Sequence, residues 1–151
     1  MAKIRPQPKP KKQKKKPADK LKEGCLELWS LCIRAEQKTC RNCNSDQNLS
    51  AHHIIPKRFT QGMFALDNGL TLCWSCHSKE KYNPIAFVLM IIEIIGEKSL
   101  KSLKKKYMKK ASFRWTIKKL EDEKAFLKEE LDRRKADWGE VVCHARFSDE
   151  D

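Results

Sequence analysis

No segment of this 151-residue chain is apolar for long enough to cross a bilayer: the longest such run, Ile85 to Ile95, is interrupted by Glu93 and falls well short of the roughly 20 residues a span needs. No membrane partner is expected. The first residues carry charge but no following apolar stretch of the kind a secretory leader has, so the cysteines are read as reduced thiols of a cytoplasmic protein. Glycine is scarce, at five residues, and 35% of the chain is charged, which leaves a small core and much of the length to solvated helices or tails. The length suits one compact unit with appendages.

Acid is also in deficit. Thirty-three Lys and Arg stand against twenty Asp and Glu, for a net charge of +13. Within residues 1–20 nine basic side chains face Asp19 alone, so this stretch holds +8 of the total. Such an excess favours a polyanion, because each neutralised phosphate releases condensed counterions; a solubilising tail is the bland alternative. Pro6, Pro8, Pro10 and Pro17 are spread among these lysines, and like-charge repulsion adds to their effect. Residues 1–17 are therefore expected to be a disordered basic arm.

Beyond the arm, Leu21, Cys25, Leu28, Trp29 and Cys32 recur at helical spacing, which predicts an amphipathic helix over 18–36 with Cys25 and Cys32 as core residues. From 37 to 82 the pattern turns short and irregular, with a β-like stretch over 49–55 and a second at Leu70 to Leu72. A hairpin followed by a helix is expected there. Asn83 before Pro84 marks a helix start, opening packing helices over 83–110 that include a basic one from Ser99. A long charged helix is expected within 111–140, from Phe113 to Trp138. Its seam of Ile117, Leu120, Leu127, Leu131 and Trp138 contains Lys124 and Arg134, and suits a protein partner, self-association or folding back on the domain. Residues 141–151 form an acidic-ended tail containing Cys143.

Seven cysteines is an odd number, and four of them form two Cys-x2-Cys pairs, Cys40/Cys43 and Cys73/Cys76, separated by 29 residues. In a reducing compartment this spacing points to one tetrahedral Zn2+ with a closed shell of four thiolates, a structural ion rather than a catalytic one. Between and after the pairs lie His52-His53-Ile54-Ile55-Pro56-Lys57-Arg58, Asp67-Asn68-Gly69-Leu70 and His77. Neighbouring residues on a strand face opposite ways, so His52 and His53 cannot duplicate one task. Trp74 is expected to pack in the core or the knuckle rather than to serve as a base-stacking platform.

In order and spacing these residues resemble the zinc-containing members of the HNH (ββα-metal) endonuclease family, over about 40 residues of the chain. The resemblance implies an α+β, mostly helical protein: a small ββα-metal module stapled by a four-cysteine zinc site and flanked by helices, of the compact type found in phages and mobile elements, acting in the host cytoplasm. It implies a DNA phosphodiester hydrolase leaving 3′-hydroxyl and 5′-phosphate ends. It makes His52 and His77 ligands of a catalytic ion, His53 the general base and Asn68 the loop-fixing residue. Relatives often carry a further His where Lys81 stands, so two protein ligands suggest a hydrated Mg2+ or Mn2+. The alternative is a non-catalytic zinc-finger or adaptor module.

Lys57, Arg58, the run Lys104-Lys105-Lys106 and the arm residues Lys11, Lys12, Lys14, Lys15 and Lys16 are the candidate phosphate contacts, with solvated surface charge as the alternative. Deleting residues 1–17 should weaken DNA binding and flatten its dependence on salt, measured by titration at several ionic strengths. An unchanged salt slope would show that the arm does not touch phosphate.

Overall fold

The computed structural model describes residues 15–109 and 113–137. Most of the expected arm, Trp138, Cys143 and the acidic-ended tail lie outside the described residues. Helix α1, Pro17–Gln37, opens on a proline whose fixed φ suits the first helical turn and buries Cys25, Trp29, Cys32 and Ile33. Of the two arm lysines in view, Lys16 occupies the N-cap position without a side-chain capping bond, and Lys15 pairs with Glu23 at 2.6 Å, an exposed contact worth little to stability.

Strands β1, Leu49–His53, and β2, Gly69–Cys73, pair antiparallel, with Leu49 opposite Cys73 and His53 opposite Gly69. The first strand is shorter than the 49–55 expected, because Ile55 turns away to pair its backbone with Asn68. A lone hairpin is marginal in water, so its support comes from outside. Every residue of β2 is buried. On its free edge the Gln37 amide stands in for a third strand, its Oε1 accepting from the Thr71 N–H at 2.7 Å and its Nε2 donating to the Gly69 carbonyl at 3.1 Å.

Helix α2, Trp74–Tyr82, follows directly from β2. Helix α3, Pro84–Ile95, begins as the sequence indicates, with Asn83 Oδ1 accepting from the Ala86 N–H at 3.2 Å. It packs Phe87, Met90 and Ile91 on Leu70, Leu72 and the cysteines, so it is the apolar partner of the knuckle segment. Helix α4, Glu97–Tyr107, starts two residues before the expected Ser99 and lays Leu103 and Tyr107 on Ile55.

The long charged helix, α5, spans Ile117–Ala136; Phe113 to Trp115 are not helical, and the Thr116 hydroxyl caps the start by accepting from Lys119 N–H. It folds back and runs parallel to α1. The Cys25 thiol donates to the Leu120 carbonyl, that of Cys32 to Leu127, and Arg134 donates to the Cys32 carbonyl and pairs with Glu36. The seam residues Leu120, Leu127 and Leu131 are consumed by this packing, whereas Ile117 is exposed. Cys25 and Cys32 are fully buried core residues, as their helical positions suggested.

Gly69 lies where α1 presses closest on the hairpin. A Cβ there would stand 2.3 Å from Ile33 Cδ1 and 3.0 Å from the Trp29 ring. Gly69→Ala should therefore cost about 1–3 kcal/mol through overpacking, read as a lower denaturation midpoint with an unchanged slope. Wild-type stability in that variant would show that α1 does not clamp the strand.

Candidate active site

The four cysteines converge at the open end of the hairpin. Cys40 and Cys43 sit on a tight turn in which the Asn44 N–H reaches the Cys40 carbonyl at 2.8 Å and Asn44 takes a positive φ of 60°, a conformation asparagine tolerates. Cys73 ends β2 and Cys76 lies in the first turn of α2. All four sulfurs fall within 4.8 Å of one another, and Cys43 and Cys73 are 3.6 Å apart. Thiolates around one tetrahedral zinc at about 2.3 Å stand roughly 3.8 Å apart, so the donor set fits that ion.

The surroundings prepare the sulfurs unequally. Burial opposes ionisation of Cys40, but backbone N–H groups at Cys73, Cys43 and Asn42 outweigh it and bring the thiol down to about 6. Burial pushes Cys76 up to about 12, although the Asn42 amide donates to its sulfur at 3.2 Å. Thiols crowded this closely cannot all ionise unless a cation joins them, which is what a divalent metal supplies.

A second group of donors lies along α2. His52 on β1 is buried, and its Nδ1 stands 3.1 Å from Nε2 of His77. Glu80, one turn beyond His77, places Oε2 at 3.8 Å from both nitrogens. Donors sharing one ion at about 2.1 Å are roughly 3.0–4.2 Å apart, and the three fit that range. Ser50 sets the orientation of one ring. Its hydroxyl donates to the Leu72 carbonyl, so His77 Nδ1–H donates to Ser50 Oγ at 2.9 Å, leaving the Nε2 lone pair directed at the triad. Burial, then the neighbouring His77 and His53, hold His52 down to about 4, so its imidazole is neutral and free to ligate. The edge of Phe87 packs against it, ring centroids 4.9 Å apart.

The resemblance offered two ligands for this ion; the structure brings a third side chain to them. Glu80 is not a ligand position that the resemblance points to, since the further His of many relatives falls at Lys81, one position on. The signal is nonetheless present as His77-x-x-Glu80, a spacing that puts both side chains on neighbouring parts of one helical face.

His53 faces the other way. Its ring stacks on the Trp29 indole at 3.9 Å between centroids and 13° between planes. Its Nε2 is 2.8 Å from the Met63 carbonyl. A carbonyl only accepts, so Nε2 carries the proton and Nδ1 presents the lone pair. Burial holds this imidazole below its ordinary range against the opposing pull of that carbonyl, and the Lys57 charge adds to the lowering.

Asn68, fully buried, laces the loop that supplies the carbonyl. Its amide donates to the carbonyls of Ile55 and Gly62 and accepts from the Ile55 N–H at 2.7 Å. Gly62 directly precedes Met63, so this bond steadies the partner of His53. Two further supports were not foreseen. Trp29 Nε1 donates to Ala65 O at 2.9 Å, and Asp67 receives both the Tyr107 hydroxyl and the Lys106 ammonium, the latter at 2.7 Å.

Lys57 and Arg58 are exposed on the loop after β1, with Arg58 lying 5.2 Å over the Phe59 ring. Trp74 departs from expectation. It is 71% exposed, because the first residue of α2 points out of the knuckle rather than into it.

Cys40→Ser or Cys73→Ser should unfold the central segment, since one lost thiolate opens a shell whose binding energy is part of the folding energy. Elemental analysis of the wild type should give about one tightly held zinc per chain. A zinc-free protein with an unchanged circular dichroism spectrum would contradict both expectations.

Comparison with curated proteins and with solved structures gives no significant match. Residues 40–83, the segment that holds both donor clusters together with His53 and Asn68, match the family model of the HNH endonuclease, and the chain therefore carries an HNH endonuclease domain.

Proposed function

We propose that the protein is a metal-dependent DNA endonuclease in which His53 activates water and His52, His77 and Glu80 hold one divalent ion. The observation that carries this reading is the two-sidedness of β1. His52 lies with His77 and Glu80 in one cluster of donors, while His53 is fixed on the opposite face with its Nδ1 lone pair free.

The chemistry follows from these positions. A neutral imidazole whose Nε2–H is bound to a carbonyl can take a proton on Nδ1, and the same carbonyl stabilises the imidazolium that results. Trp29 holds the ring plane, and Asn68 holds the loop carrying Met63. When bound, a divalent ion would supply charge stabilisation at the scissile phosphate and the leaving oxygen. Two imidazoles with one carboxylate suit Mg2+ or Mn2+ completed by water and phosphate oxygens. The products of that displacement are 3′-hydroxyl and 5′-phosphate ends. Lys57, Arg58 and the basic arm supply phosphate contacts that position the strand without reading its sequence. The small size of the domain suits a phage or mobile-element enzyme working in the host cytoplasm.

His53→Ala should keep DNA affinity and lose roughly 100- to 10,000-fold in cleavage rate, because the imidazole belongs to neither donor cluster. His52→Ala and Glu80→Ala should also lose cleavage, but by weakening the ion, so raising Mg2+ or Mn2+ should restore part of their rate and none of that of His53→Ala. Metal rescue of His53→Ala alone would exchange the roles, and full activity in His53→Ala would refute the assignment of the base.

A further inference from the structure

We infer that the outer face of α2 is a stacking surface for unpaired nucleotides of the substrate strand, with Trp74 and Tyr82 receiving bases and Lys81 a phosphate. The inference rests on the nucleic-acid substrate proposed above, and it adds residues that neither the metal clusters nor the base require.

Trp74, Ser78, Lys81 and Tyr82 fall at i, i+4, i+7 and i+8, which places them on one stripe of the helix. Trp74 is 71% exposed and Tyr82 74%. Large aromatic rings left in water on a helix of nine residues contribute nothing to the core, whereas two exposed rings and a cation on one stripe match the pattern that binds unpaired nucleic acid. The Lys81 ammonium lies 5.5 Å over the Tyr82 ring, which puts a cation beside one of the two aromatic rings.

The mount is rigid. Trp74 sits between the ligand positions Cys73 and Cys76, and its backbone N–H donates to the Asn48 carbonyl at 3.0 Å. The stripe adjoins the triad, since His77 lies one helical turn from Trp74 and Glu80 directly precedes Lys81. From Trp74 to Tyr82 the helix rises about 12 Å, close to three or four base steps at about 3.4 Å each. The occupant indicated by charge is a polyanion: Lys81 is exposed on the stripe, Lys79 adds a second exposed cation on a neighbouring part of the same helix, and the only acid on α2, Glu80, is turned to the histidines. Stacking needs an open base face, so the surface selects unpaired over duplex DNA.

The test is fluorescence anisotropy of an end-labelled single strand and of the matching duplex, titrated with the full-length zinc-loaded protein without added Mg2+ or Mn2+. Trp74→Ala and Tyr82→Ala should each weaken single-strand binding by about 5- to 100-fold and duplex binding by less; Trp74→Phe should retain most of the affinity. Both positions are exposed, so folding is spared, and Phe126→Ala, which removes an exposed ring from α5, should leave both affinities unchanged. The inference is overturned if Trp74→Ala binds the single strand like wild type, if both DNA forms lose affinity equally, or if the wild type binds no single strand. It is also overturned if Trp74→Ala changes only the mass measured by light scattering, which would make the stripe an interface between copies. Binding is read without cleavage, so a wild type that binds but never cuts would count against the nuclease reading and leave this result standing.

Discussion

Four sulfurs converge at the open end of a two-stranded hairpin, where a single zinc ion would join the strands to the helix that follows them. Neither element that bears the donors is self-sufficient: a lone hairpin is marginal, and a nine-residue helix falls below the length that holds together in water. Joining the Cys40/Cys43 turn to Cys73 and Cys76 fixes where β2 ends and the direction in which α2 leaves it. His77 directly follows Cys76 and Glu80 lies one turn further, so the anchor and the donors share a rigid stretch of helix. Placement of the proposed reactive ion would thereby be delegated to a structural one.

The strand beside that helix is used on both faces, and each face has its own support. His52 is backed by α2 and by Phe87 of α3, whereas His53 is backed by Trp29 of α1 and by the loop that Asn68 laces. Helix α1 is therefore more than a lid on the core. Its Gln37 completes the free edge of β2, its Ile33 presses on Gly69, and its Trp29 sets the plane of the imidazole. Helix α5 contributes at one remove, since its buried leucines and Arg134 hold α1 in place.

Local patterns made much of this legible in the sequence. The Cys-x2-Cys pairs, the Asn83-Pro84 start and the helical spacing of Cys25, Trp29 and Cys32 each carry their own physical reason, and each appears as expected. What escaped depends on contacts far apart in the chain. The Trp29–His53 stack joins residues 24 positions apart, and Gln37 meets β2 more than 30 residues on. No periodicity within either segment announces such pairs. The fate of the α5 seam was open for the same reason, because an apolar stripe shows that a helix needs a partner without saying which. Glu80 is a different kind of omission, legible by the His77-x-x-Glu80 spacing but one position short of Lys81, where the resemblance directs attention. Trp74 was misjudged by residue type, since tryptophan is usually buried and here begins a helix whose first residue faces out.

The proposed chemistry divides the labour between two ions, one sulfur-held and structural, the other held by nitrogen and oxygen and used in the reaction. Incubation of supercoiled plasmid with purified protein carrying its zinc tests this most directly. The account predicts intact plasmid with no added metal, nicked or linear product on adding Mg2+ or Mn2+, and no product when EDTA is added with them; cleavage by the zinc-loaded protein without added metal, or intact plasmid under every condition, would contradict it.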